Sequence, residues 1–207
     1  NNYANLCQIE MRMGLEGALY RCRKALTFME GAAVSKAMLE ATHYALGHAA
    51  ANEGHAEEAA KHLEESATIY TEMSQPDLAS YAESMLKLGA VYKKSERRER
   101  ALDVFRKAVE KLEASGSARY GAMRVKLRSQ YAQLLLGEEK WKEAEDQLET
   151  VVEEAQRAGA TGDEAWAWSA LARAESQLGN EEETRRSLEK ALPLAKKAGD
   201  RELVETV

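Results

Sequence analysis

Proline and cysteine are both scarce here, with two of each in 207 residues. Two prolines rule out a proline-rich linker or a chain broken every few residues. Cys7 and Cys22 are too few and too early to staple the chain, so they read as reduced thiols and point to a reducing cytoplasm. No run approaches the roughly 18 apolar residues of a membrane span, and no signal peptide is recognisable. A start methionine is also missing, since the chain opens on Asn1-Asn2-Tyr3, and this reads as an excised fragment or a processed chain. There is no phosphate-binding glycine loop, metalloprotease motif or glycine-flanked serine elbow, so the sequence predicts no enzyme and no cofactor.

What is present favours helix. Ala, Leu, Glu, Lys and Arg dominate, 44% of residues are apolar and 31% are charged, a composition for one ordered all-α unit. The 29 basic residues are interspersed with 35 acidic ones, for a net charge of -6, which disfavours a track for nucleic-acid phosphates.

A repeat organises these residues. Ala101, Val104, Phe105, Ala108, Val109 and Leu112 recur at helical spacing and make an amphipathic stripe. The stripe returns as Ala144, Leu148, Val151, Val152, Ala155 and as Thr184, Leu188, Ala191, Leu192, Ala195. Earlier copies are Ala59, Leu63, Ala67, Tyr70 and Ala18, Cys22, Ala25, Leu26. The anchors Ala18, Ala59, Ala101, Ala144 and Thr184 are spaced 41, 42, 43 and 40 residues apart, which gives five units.

A second helix precedes each of the last four anchors. Its dyads, Leu46-Gly47, Leu88-Gly89, Tyr131-Ala132 and Leu171-Ala172, all stand 13 residues before the anchor. Short turn signals separate the pairs, including Asn52-Glu53-Gly54, Gly137-Glu138-Glu139 and Gly179-Asn180, with Asn180 and Glu183 resembling a capping box. So short a loop dictates antiparallel neighbours. Between units, Gly116, Gly159 and Gly199 are placed to end helices in the left-handed conformation, and Pro76 to open one. Pro193 is expected to kink or end the last anchor helix, and Asp200 to cap a further one. The units span about 1–31, 34–74, 76–116, 117–159 and 161–199, with a helix starting over 200–207.

Met85, Leu88, Gly89, Tyr92, Ala101, Phe105 and Ala108 resemble the Trp-x-x-Leu-Gly-x-x-Tyr and Ala-x-x-x-Phe-x-x-Ala pattern of the tetratricopeptide repeat. The last unit supplies Trp168, Leu171, Ala172, Leu188 and Ala191, departing at Glu175 and Thr184. A period near 42 is similar to the long-helix variant of kinesin light chains. The resemblance implies a right-handed superhelical solenoid of antiparallel helix pairs, lined inside by the first helix of each unit. It implies an interaction module, a scaffold or adaptor holding a partner protein or peptide in a concave groove. The alternative is a ligand-sensing or targeting domain of a larger signalling protein or enzyme.

Transferred onto this chain, the lining is Tyr44, Ala45, His48, Asn52, then Glu83, Lys87, Ala90, Lys94, then Lys126, Ser129, Gln130, Gln133, then Trp166, Ser169, Ala170, Arg173. Lys87, Lys126 and Arg173 would form a positive stripe for an acidic segment, and Gln130 and Gln133 would bond its backbone. Ordinary solvated side chains are the competing reading. The Lys, Asn and Arg set that grips chaperone tails in this fold is missing. Trp168 fits the core, and Trp166 falls on the lining or packs against the preceding unit. His43 takes the tryptophan place of its unit and reads as core. With His48, His55 and His62 it is spaced 5, 7 and 7 residues, wrong for a metal on one helix face, so no metal is expected. The Lys93–Arg100 run reads as a solvated turn, and Ser187 with Lys190 as surface helix and not a nucleophile pair. Self-association through uncapped solenoid ends is a further expectation.

Overall fold

The computed structural model describes residues 2–73 and 78–206, so Pro76 and its neighbours 74–77 lie outside the described residues. Every regular element among the described residues is helical. They are α1 (Asn2–Met13), α2 (Ala18–Met29), α3 (Lys36–Asn52), α4 (Ala56–Thr71), α5 (Leu78–Lys94), α6 (Arg98–Ala114), α7 (Gly121–Gly137), α8 (Trp141–Ala158), α9 (Thr161–Gln177), α10 (Glu181–Ala198) and α11 (Arg201–Thr206), with a 3-10 turn at Ala118–Tyr120.

The helices gather into two compact units, Asn1–Val104 and Phe105–Val207, with the boundary inside α6. In the first unit α2 packs on α1, α3 on both, α4 on α3, and α5 on α4 and α3. In the second, α8 packs on α7, α9 on both, α10 on α9 and α11 on α10. First helices therefore adjoin within each unit, α3 touching α1 and α5, and α7 touching α9.

The repeated stripe becomes the core. Ala101, Val104, Phe105, Ala108, Val109 and Leu112 are all buried, as are Ala144, Leu148, Val151, Val152 and Ala155. Gly47 shows why a small residue stands in the dyad: a Cβ there would come within 2.7 Å of Leu63 Cγ and 3.0 Å of the Ala59 carbonyl.

The hairpin turns share one geometry. His55, Arg97, Lys140 and Asn180 each donate a backbone N–H to the carbonyl five residues back, at 2.8 to 3.0 Å. Just before each stands a left-handed residue, Gly54 (φ 85°), Glu96 (φ 58°), Glu139 (φ 58°) and Gly179 (φ 80°). Two glutamates thus occupy a conformation that glycine adopts without steric cost.

Four expectations need correction. Cys7 and Cys22 form a disulfide, because antiparallel α1 and α2 bring their Cα atoms to 4.8 Å, and the thiol-based argument for a reducing cytoplasm loses its basis. Asn180 makes no side-chain cap; Thr184 donates its hydroxyl to the Asn180 carbonyl at 2.8 Å instead. Pro193 does not end α10, which runs on to Gly199 (φ 73°), since the proline lies on the exposed side where the orphaned carbonyl meets water. Ser187 is buried and hydrogen-bonded to Glu175, and Lys190 lies over the Trp168 ring 3.9 Å from its centroid, so the two do not form a surface pair. The expected cap at Asp200 is present, its carboxylate accepting from the Leu203 N–H at 3.0 Å.

Candidate functional site

In the first unit the lining residues of α3 form a linked row. Tyr44, His48 and Asn52 stand one turn apart, with the Tyr44 and His48 rings edge-on at 6.1 Å and Asn52 Nδ2 3.2 Å from His48 Nδ1. Burial raises the Tyr44 pKa, helped by Glu83 from α5, while burial and then Lys87 lower that of His48. Tyr44 and Glu83 share a cleft of about 100 Å³ with Arg12 of α1 and Glu40 of α3. Its charged groups carry both signs. Lys87 is half-buried and Lys94 exposed, while Ala45 is fully buried and belongs to the core instead of the lining.

The second unit holds a pocket of about 500 Å³. Gln133 of α7 and Trp166, Ser169 and Arg173 of α9 line it, together with Leu136, Leu188 of α10 and Leu203 of α11. Arg173 is the sole charged residue on its wall. Its guanidinium lies 5.9 Å from the centroid of the Trp141 ring. No carboxylate among the described residues pairs with it, whereas Arg124, Arg128, Arg157, Arg185 and Arg186 all have acidic partners. An exposed cation beside an aromatic ring, with no carboxylate partner among the described residues, is suited to receive an anion.

Three other expected lining residues lie off this pocket. Lys126 is exposed, Gln130 is half-buried, and the Ser129 hydroxyl is buried without a hydrogen-bond partner. Trp166 does both things open to it, lining the pocket and packing with Trp168 against Val125, Val151, Val152 and Ala167. Trp168 is only half-buried, because it sits at the core's edge under Lys190. Lys87 belongs to the first unit, and Lys126 and Arg173 to the second.

Sequence reasoning missed the contribution of α10 and α11 to the pocket wall. The Asp200 cap announced α11, but nothing local said that Leu203 would turn toward α9. It also missed two buried polar clusters. His43 and His62 sit across the α3–α4 hairpin with Nδ1 atoms 3.0 Å apart, so one ring N–H donates to the other ring. Burial and then the His43 ring lower the pKa of His62 to about 4. In α7–α8, Arg124 Nε donates to Glu154 Oε1 at 2.6 Å, while Arg128 lies 3.7 Å from Glu154 Oε2, donates to Gln147 at 2.7 Å and also meets Glu113. Among the described residues no group of three or more His, Cys, Asp or Glu side chains could hold a metal, and no helix is long and apolar enough to cross a membrane.

Residues 38–114 and 124–197 match the sequence model of the tetratricopeptide repeat. The chain belongs to the tetratricopeptide repeat family. Solved structures repeat its fold at low sequence identity. The TPR-like repeats designated kinesin light chain from Podosopora anserina superpose with a TM-score of 0.74 at 18% identity, covering 96% of each chain. MamA gives 0.69 at 16%, over 97% of this chain and 93% of that one. Aspartyl phosphate phosphatase F from Bacillus subtilis gives 0.72 at 12%, over 97% of this chain but 51% of the other. No curated protein matches the chain in sequence. The all-α tetratricopeptide solenoid that the resemblance implied is thus the fold of this chain.

Proposed function

We propose that this tetratricopeptide chain is a protein-interaction module whose first helices receive a segment of a partner, with the α7–α9–α11 pocket as the anchoring point. The observation carrying this reading is Arg173, an exposed guanidinium without a carboxylate partner among the described residues, set in a pocket where Trp166, Leu136, Leu188 and Leu203 alternate with amide and hydroxyl side chains. Such a pocket favours an acidic group beside an apolar or aromatic side chain, with Gln133 and Ser169 positioned for peptide polar atoms. A peptide library with fixed acidic positions, scored against its basic counterpart, tests the chemistry. Arg173→Glu is expected to weaken the acidic hits by at least about tenfold, or 1.4 kcal/mol, with helicity unchanged. Equal affinity in the variant would remove the pocket from the function. In its own unit Lys126 and Gln130 rank behind Arg173 as contact residues on this reading, with Ser129 last because its hydroxyl is buried; in the first unit the candidates are Tyr44, His48, Asn52, Glu83, Lys87 and Lys94.

Contact between copies of the chain is a second reading, favoured by the exposed apolar side chains of α1 and α2, among them Leu6, Ile9, Met13 and Phe28.

A further inference from the structure

Spacing along one helix argues against a metal at the four histidines, yet the α3–α4 hairpin brings two of them together from facing helices. The Nδ1 atoms of His43 and His62 stand 3.0 Å apart, with ring centroids at 5.1 Å and ring planes inclined by 43°. A hydrogen bond at that distance needs one of the two nitrogens bare, so at least one lone pair already points into the gap. The other ring frees its own lone pair by carrying its proton on Nε2 instead, a change of tautomer that releases no net proton.

The separation suits a chelate. Two nitrogens bound to one ion at about 2.0–2.1 Å lie about 2.9 Å apart at a right angle and about 3.4 Å apart in a tetrahedron. The observed 3.0 Å falls within that span, so the two rings need to turn, while the helices that carry them can stay in place. His62 is held inside the hairpin at 8% exposure, whereas His43 is half-buried and leaves a way in from solvent. The charges that reach the rings balance. Lys61 and Glu65 act on His43 with opposite signs, and Arg23 and Glu58, which together with Lys61 act on His62, are hydrogen-bonded to each other at 2.7 Å. Imidazole donors in such a setting select a borderline divalent ion and give the oxygen-seeking Mg²⁺ and Ca²⁺ no hold. With no third His, Cys, Asp or Glu in place among the described residues, water fills the remaining positions around the ion.

We propose that His43 and His62 form a two-histidine site for a borderline divalent transition-metal ion, Ni²⁺, Cu²⁺ or Zn²⁺, which ties α3 to α4 across the hairpin. The site is independent of the Arg173 pocket, which lies in the other unit. Ni²⁺ titrated calorimetrically into the chain without an affinity tag, near neutral pH, is expected to fill a single site and to raise the melting temperature. His62→Leu and His43→Phe are each expected to weaken that binding at least about tenfold, whereas His48→Gln with His55→Gln leaves it unchanged. His43→Phe alters only the half-buried ring, so it decides the matter if His62→Leu fails to fold. Mg²⁺ at the same concentration is expected to leave the melting temperature where it was, and an equal rise would overturn the choice of ion. Absence of saturable Ni²⁺ binding would overturn the site itself. So would an unchanged affinity in His43→Phe, or a loss in the His48 and His55 double variant, since either places the ion elsewhere.

Discussion

The α3–α4 and α7–α8 hairpins have the same architecture yet treat polar groups in their interiors in opposite ways. In α3–α4 the pair is buried His62 with half-buried His43, two rings that share a hydrogen bond only while one Nδ1 lacks its proton. In α7–α8 it is Glu154 between Arg124 and Arg128, full charges with relative exposures of 7%, 14% and 4%. Their turns differ as well, with glycine at Gly54 and glutamate at Glu139 in the same left-handed position. The fold thus fixes where a polar group is buried, while its chemistry sets which condition loosens the hairpin.

The largest break in this comparison is expected at Glu154. Glu154→Ala leaves Arg128 buried with one acidic partner, Glu113, which is half-exposed, and should cost about 3–5 kcal/mol in urea unfolding. Replacing all three, Arg124→Met and Arg128→Met with Glu154→Leu, should recover most of the loss, since apolar replacements remove the stranded charges along with their partner.

Acid should act on the other hairpin. His62 titrates near 4 folded against 6.5 unfolded, so between those values the unfolded chain binds more protons. Its stabilising contribution is complete above pH 6.5, declines as the pH falls, and levels off below 4. Discounted for screening by water at the half-exposed His43 ring, the loss is about 1–2 kcal/mol, readable as a falling midpoint between pH 7 and 4. In His62→Leu that slope should flatten, whereas Glu154→Ala should leave it in place.

The smallest effect sharpens the turns. Glu139→Gly relieves a left-handed non-glycine residue and should stabilise by about 1 kcal/mol, a rise in Tm of about 2–4 °C. Gly54→Glu should lose a similar amount. Equal melting temperatures would mean that the Glu139 turn carries no backbone strain.

The repeat was legible because burial imposes a period. Ala101 to Leu112 and Ala144 to Ala155 display their stripe within one helix, and the dyads display the hairpin at a fixed offset. Features joining two helices were not legible in the same way. His43 and His62 are 19 residues apart, so spacing along one helix could not pair them. Arg128 and Glu154 look like any surface charges until packing removes their solvent, and Cys7 and Cys22 meet only because α1 and α2 are antiparallel. The lining of the first helices was legible by analogy alone. The pocket around Arg173 also needed Leu188 and Leu203, whose direction depends on how α10 and α11 dock.

The disulfide has a mechanical consequence. A pull from the amino end that peels α1 away reaches Cys7 and then acts through the sulfur bridge directly on Cys22. The loop between them, at a separation of 15 residues, cannot extend, so on the order of 50 Å of contour is withheld from the first rupture until a reductant cuts the link. Force-extension traces in oxidising and reducing buffer should therefore differ by that length at the first step, which makes the hairpin a ruler for its own redox state.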